Sequence, residues 1–361
     1  MRRTCTFLLS VVALTSTNTL NAQDKPAAPA KPVFVEDGTV RVPAFDLPPS
    51  AYLTSEALAF QKMRAKMGGM IPSDNIPIAV KRKGLTAMLS PQIAALAKKY
   101  PVDIADTVIA GVPTKVFTPK GKAADKRHVL INLHGGAFTM CWDSCAMLES
   151  IPVSALGGYK VVSVNYRMGP EARHPAALED IEAVYRDLLK SYKPSQIAIY
   201  GCSAGGALSA EMGAWLPKHG LPQPAALGIF GAGGVRFGLG DSAYFAGYAD
   251  GTFGQPPRPG DKAPDMTNGY FDGADMGDDI VSPALHPETI AKFPPTLLIT
   301  GTRAMDMSPA IYTNAQLLKA GVQSTLLVGE GMGHCYIYND AFPEAQDAWN
   351  VMLRFFKTHL K

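Results

Sequence analysis

Short apolar runs alternate with segments of helical period over most of the chain. This predicts an α/β protein with a mostly parallel central sheet and helices on both faces. Three observations carry the prediction. The segments 129–133, 161–164, 196–200 and 225–230 are apolar runs too short to be helices. Between and after them lie stretches such as 176–192, where Ile181, Val184, Leu188 and Leu189 recur at helical spacing. The chain has 361 residues, 47% hydrophobic and 18% charged, enough for a large core and unlike a disordered protein.

Taken in order, the chain opens with Arg2 and Arg3, an apolar stretch over 7–14, and Ala22 after a polar run. This pattern predicts a secretory signal peptide over 1–22. Its removal would take 22 residues and two Arg, leaving 339 residues and reducing the net charge from +3 to +1. Residues 23–50 are rich in Pro and Ala and read as an exposed arm. Residues 51–104 read as N-terminal cap helices. The first spans 54–67, with Thr54 or Ser55 as cap and Phe60, Met63 and Met67 on one face. Ser90-Pro91 opens the second, with Ile93, Leu96 and Tyr100 on one side.

The α/β core is expected over 105–361. Residues 108–117 alternate as a strand, and 129–133, 161–164, 196–200, 225–230, 296–300 and 324–328 continue the series. Helices are expected over 176–192, over 205–216, and from Pro343 with Trp349, Met352 and Phe356 facing inward. Residues 235–285 break the rhythm with Gly, Pro and Asp around Tyr244, Phe245, Tyr248, Phe253, Tyr270 and Phe271. An irregular stretch this long reads as a lid or a binding insertion.

Composition excludes several classes. With 34 Lys plus Arg against 31 Asp plus Glu, nothing points to nucleic acid. No apolar run reaches the ~18 residues of a membrane span. Cys141 and Cys145 are close enough to pair, although buried free thiols fit equally well. No zinc spacing or phosphate-binding loop is present, and 272–279 lacks the oxygen ligands of a calcium loop at Ala274 and Met276. Neither a metal nor a cofactor is implied.

Three Gly-rich segments carry chemistry. Gly201-Cys202-Ser203-Ala204-Gly205 follows a strand and precedes a helix, the setting in which a serine hydroxyl is exposed on a sharp turn. His134-Gly135-Gly136-Ala137 follows the strand at 129–133 and can aim backbone N–H groups at a developing oxyanion. His334, in Gly331-Met332-Gly333-His334-Cys335, follows the last strand and is the histidine placed to activate Ser203. His128, His219 and His359 read as surface residues, and His174 and His286 as loop residues.

These features, with Tyr166-Arg167, Pro170-Glu171, His174-Pro175 and Ser282-Pro283, resemble the hormone-sensitive-lipase-like branch of the α/β-hydrolase superfamily over about 105–361. The resemblance implies an α/β-hydrolase fold with a helical cap and a serine esterase. It casts Ser203 as nucleophile and His334 as general base and then acid. Gly135, Gly136 and Ala204 become the oxyanion donors, and Arg167 and Glu171 a structural pair. The implied substrate is a small or medium acyl ester, or a lactone. The family's acid would align near Ala304, so Asp306, two residues on, is the expected triad acid, with Glu330 as the rival. Cys202 stands where the family more often has Asp, and it reads as structural. Two other functions compete: amide hydrolysis, as by an aryl formamidase, and ligand binding without turnover, as in the plant gibberellin receptors of this branch. Those receptors lack the catalytic His.

Overall fold

The computed structural model describes residues 31–67, 76–120, 124–250 and 265–361, so the expected signal peptide lies outside it. The described residues up to Pro48 and those from Pro49 onward form separate units. In the first, Val33–Phe34 (β1) and Val40–Arg41 (β2) pair antiparallel, and Gly38 in the intervening turn has φ 88°. The arm thus carries a small hairpin.

The second unit begins with helix α1, Ser55–Met67. Thr54 Oγ1 accepts the Ala57 amide at 3.4 Å and donates to Glu344, so the expected cap also anchors the helix to the C-terminal segment. Phe60 packs edge-on against Phe342, whereas Met63, expected on the same face, is exposed. Helix α2, Ile78–Lys99, starts well before Ser90-Pro91, and Pro91 lies inside it. A proline there removes one ladder hydrogen bond. The helix persists because Leu96 is buried and Ile93 packs on the same cluster. The basic Lys81-Arg82-Lys83-Gly84 segment hid its first half.

Val102–Ile109 (β3) and Val112–Pro119 (β4) form a hairpin where one strand was expected over 108–117. Ala110 and Gly111 both have positive φ, 50° and 84°, as a tight two-residue turn requires. The core continues through β5 (Asp125–Leu133), α3 (Trp142–Gly157), β6 (Tyr159–Val164), α4 (Ala176–Leu188), β7 (Ile197–Cys202) and α5 (Ala204–Lys218). It then runs through β8 (Ala226–Phe230), α6 (Ser242–Asp250), α7 (Pro287–Ile290), β9 (Thr296–Gly301), α8 (Met307–Lys319), β10 (Ser324–Gly329) and α9 (Pro343–His359).

The main sheet has eight strands in the order β10-β9-β8-β7-β5-β6-β4-β3. Pairing is parallel from β10 to β6 and antiparallel at the β4 and β3 edge. Side chains divide by the two-residue period of a strand. Val129, Ile131 and Leu133 of β5 join the cluster under α4 and α5, while Leu130 joins the one under α3 and α9. Each fully buried aliphatic side chain contributes about 1.5–3 kcal/mol. Strand order reverses around β5, so a crevice opens at the carboxyl ends of β5 and β7, where ligands bind in such sheets.

The 235–285 insertion splits between core and surface. Tyr270 is fully buried, stacks on Phe138 at 5.3 Å, and its hydroxyl accepts the Ala177 amide. Tyr244 and Phe245 on α6 are exposed. Ser242 ties α6 to the segment before α8: its hydroxyl donates to Met305 O at 2.8 Å and accepts the Ser308 amide at 2.8 Å. No helix among the described residues is long and apolar enough to cross a membrane.

One buried acid yields a stability prediction. Burial, helped by the nearby Asp278, raises the Glu211 carboxyl well above the ordinary glutamate range. The unfolded chain therefore ionises Glu211 at lower pH than the folded protein does. Stability falls as pH rises above the unfolded value. Glu211→Gln should gain melting temperature relative to the native protein, and the gain should be larger at pH 8 than at pH 5.

Candidate active site

Ser203 sits between β7 and α5 with φ 60° and ψ −123°, a region a non-glycine residue occupies only under constraint. Its amide donates to Phe230 O at 2.9 Å, tying the turn to β8. The flanking glycines serve close approach rather than positive φ. A Cβ on Gly201 would lie 2.1 Å from Leu133 O, and one on Gly205 would lie 1.7 Å from the same atom. The end of β5 thus passes directly against the elbow.

His334 and Asp306 come from loops after β10 and β9. His334 Nδ1 lies 2.5 Å from Asp306 Oδ1, while Thr300 Oγ1 donates to Asp306 Oδ2 at 2.6 Å. Asp306 is fully buried, and Glu330 is exposed. Phe237, from the insertion, approaches the His334 ring edge-on at 6.3 Å.

A disulfide joins these two halves. Cys202, immediately before Ser203, is bonded to Cys335, immediately after His334. Cys202, read from the sequence as structural, plays that part through this bond. The bond explains Gly231, at the end of β8 with φ 54°. A Cβ there would lie 2.8 Å from Cys335 Sγ, 2.9 Å from Cys202 Sγ and 3.2 Å from His334 Cε1. Cys141 and Cys145 form a second disulfide at the start of α3.

The loop after β5 corrects the expected oxyanion donors. The Gly135 amide donates to Glu149 Oε1 at 3.0 Å and is committed to that carboxylate. The next two amides, of Gly136 and Ala137, have no hydrogen-bond acceptor among the described residues. Both residues have positive φ, 112° and 54°, which turns the loop sharply after Gly135. Ala204 is the first residue of α5, so its amide has no partner within the helix. His134 is fully buried, contacts Gly135 O through Nδ1 at 2.7 Å, and stacks on Tyr166 at 4.4 Å. Burial lowers its pKa to about 4, so it is neutral near pH 7 and braces its loop.

Two other expectations change. Arg167 and Glu171 do not pair. Arg167 binds Asp180 and Glu179, whereas Glu171 takes Arg82 from α2 through both oxygens at 2.7 Å. Arg82 also donates to Thr139 O at 2.7 Å, fastening α2 to the 134–140 loop. His128 is buried against Asp125, and His174 is half-buried near Glu211, so neither is a surface or open-loop residue.

The geometry is that of a nucleophile elbow with a His–Asp pair behind it, on a doubly wound sheet. The chain belongs to the α/β-hydrolase fold family, whose model matches residues 130–338. An acetyl-hydrolase of Streptomyces hygroscopicus is 27% identical over 241 residues, 63% of this chain and 75% of its own. The arylacetamide deacetylase of Oryctolagus cuniculus is 33% identical over 128 residues, 32% of each chain. Among solved structures, an esterase designated E25 superposes with a TM-score of 0.75 at 26% identity, covering 89% of this chain and 99% of its own. In several curated relatives the shared segment spans only 32–41% of their length.

Proposed function

We propose that the protein is a serine hydrolase of carboxylic esters working through an acyl-enzyme on Ser203. The observation that carries this reading is the 2.5 Å His334–Asp306 contact, joined to the strained Ser203 turn by the Cys202–Cys335 bond. Asp306 holds Nδ1, which directs the opposite ring nitrogen, Nε2, to the serine proton. As Ser203 Oγ attacks the ester carbonyl, His334 takes its proton and then gives it to the departing alkoxide. Water, deprotonated by His334, attacks the acyl-enzyme, and the proton returns to Ser203. The carbonyl oxygen becomes an oxyanion facing the amides of Gly136, Ala137 and Ala204.

The acyl group is small or medium in size. Phe237 on His334 and the docking of α6 beside Asp306 support an insertion that walls the site. Amide hydrolysis is the second reading, because two relatives are named arylacetamide deacetylase and a third arylacetamide deacetylase-like 2. Ligand binding without turnover fits less well, since a His–Asp pair is in place. Export is part of the proposal. It rests on the sequence of 1–22 and on two disulfides of the kind that persist in oxidising compartments.

The test is a rate series on p-nitrophenyl esters from acetyl to dodecanoyl, a set of lactones, and the anilides matched to each ester. The short and medium esters should turn over fastest, with the anilides slower by at least about 10²-fold. Anilide turnover faster than the matched ester would select the second reading.

A further inference from the structure

Glu149 lies in α3, away from every motif that the sequence reading used. It is buried at 5% exposure, and its carboxylate takes four donors. Oε1 receives the Gly135 amide at 3.0 Å and the Tyr338 hydroxyl at 2.6 Å. Oε2 receives Asn132 Nδ2 at 2.8 Å and the Cys202 amide at 3.2 Å. These donors come from the 134–140 loop, the segment after His334, the end of β5 and the residue before Ser203. A Cβ on Gly135 would lie 2.6 Å from the Tyr338 hydroxyl and 3.4 Å from Ser203 Cβ, so the cluster lies directly beneath the nucleophile.

We propose that Glu149 is a positioning residue for catalysis, one buried carboxylate that fixes the oxyanion loop against the nucleophile elbow and the histidine segment. By taking the Gly135 amide, it turns the Gly136 and Ala137 amides outward toward the reacting carbonyl. By taking the Cys202 amide, it sets the strand end from which Ser203 and Ala204 follow. Tyr338 brings the segment after His334 to the same carboxylate. Burial raises the Glu149 carboxyl and the four donors pull it down, leaving it at about 7, so loss of a donor costs more here than at the surface. The role rests on the proposed assignment of Ser203 and its oxyanion donors.

Glu149→Gln tests it with little change of shape. The new NH2 group must face either Gly135 and Tyr338 or Asn132 and Cys202. In both orientations one backbone amide loses its acceptor. With p-nitrophenyl acetate, kcat should fall by about 10²-fold while KM moves less than about threefold, because the displaced amides act in the transition state. Inactivation by an organophosphonate, which builds a tetrahedral oxyanion on Ser203, should slow in parallel. Tyr338→Phe removes one donor without adding another and should lower kcat by roughly tenfold. It decides the question if the Gln variant does not fold, as judged by circular dichroism and melting temperature.

A folded Glu149→Gln protein, or failing that Tyr338→Phe, with kcat and inactivation rate within about threefold of native would overturn the proposal, as would a pure rise in KM. Ser203→Ala is run alongside. Activity surviving in that variant refutes the site assignment. A dead Ser203→Ala with an unaffected Glu149→Gln refutes only the role of Glu149.

Discussion

Ser203→Ala is expected to reduce kcat/KM for a short-chain ester by a factor on the order of 10⁴–10⁶, with the fold intact. The size follows from what the hydroxyl does. Its loss removes the covalent route altogether, and neither His334 nor the oxyanion amides can supply another bond to the acyl carbon. What remains is the modest rate that a preorganised oxyanion site gives to attack by water. The fold should survive because the Ser203 side chain carries none of the turn's contacts. The amide bond to Phe230 O and the approach of Leu133 O to Gly201 and Gly205 are backbone features that Ala retains. Alanine must still adopt φ 60° and ψ −123°, so a small change in melting temperature is expected. Steady-state kinetics and mass spectrometry after phosphonate treatment check both parts. A variant that keeps most of its activity, or that still carries the phosphonate on the elbow peptide, would show that Ser203 is not the nucleophile.

The residues that could be read from the sequence are those whose chemistry is local. A strand, a sharp turn and a helix around Ser203 are neighbours in the chain, and so are the glycines that let β5 pass close by. The parallel strands were readable for the same reason, since burial on both faces leaves continuous apolar runs such as 129–133. What stayed hidden depends on contacts between distant segments. Cys202 and Cys335 are 133 residues apart, and no spacing rule identifies such a pair. Glu149 sits in a helix that the sequence reading left unassigned, where a lone acid gives no sign that four donors converge on it. The oxyanion loop shows a finer limit. The sequence marks His134 to Ala137 as a candidate loop, but only the Gly135–Glu149 bond shows that the first of its glycine amides is already committed to a buried carboxylate. The α2 boundary failed for another reason. Locally Pro91 reads as a first helical position, whereas it lies inside a longer helix that the burial of Leu96 holds in place.

Asp306→Asn should lower kcat by up to roughly 10⁴-fold, equivalent to about 5.5 kcal/mol of barrier. The substitution keeps the size of the side chain and can keep one contact to His334 Nδ1 and one to Thr300. What it removes is the negative charge that steadies the imidazolium formed when Ser203 gives up its proton. That charge acts in a fully buried position, 2.5 Å from the ring, where little solvent screens it. An amide can also turn its NH2 toward Nδ1, which forces the proton onto Nε2 and leaves no base facing the serine. Both effects act on the chemical step, so KM should change far less than kcat. Glu330→Gln provides the matched comparison. Glu330 is exposed on the loop after β10, and its loss should leave kcat within about threefold of native. If Glu330→Gln proved the damaging change and Asp306→Asn did not, the buried Asp306 would be a brace for Thr300 and the loop, and Glu330 would have to swing to the histidine during turnover. The two variants, measured on one ester at one pH, separate these arrangements directly.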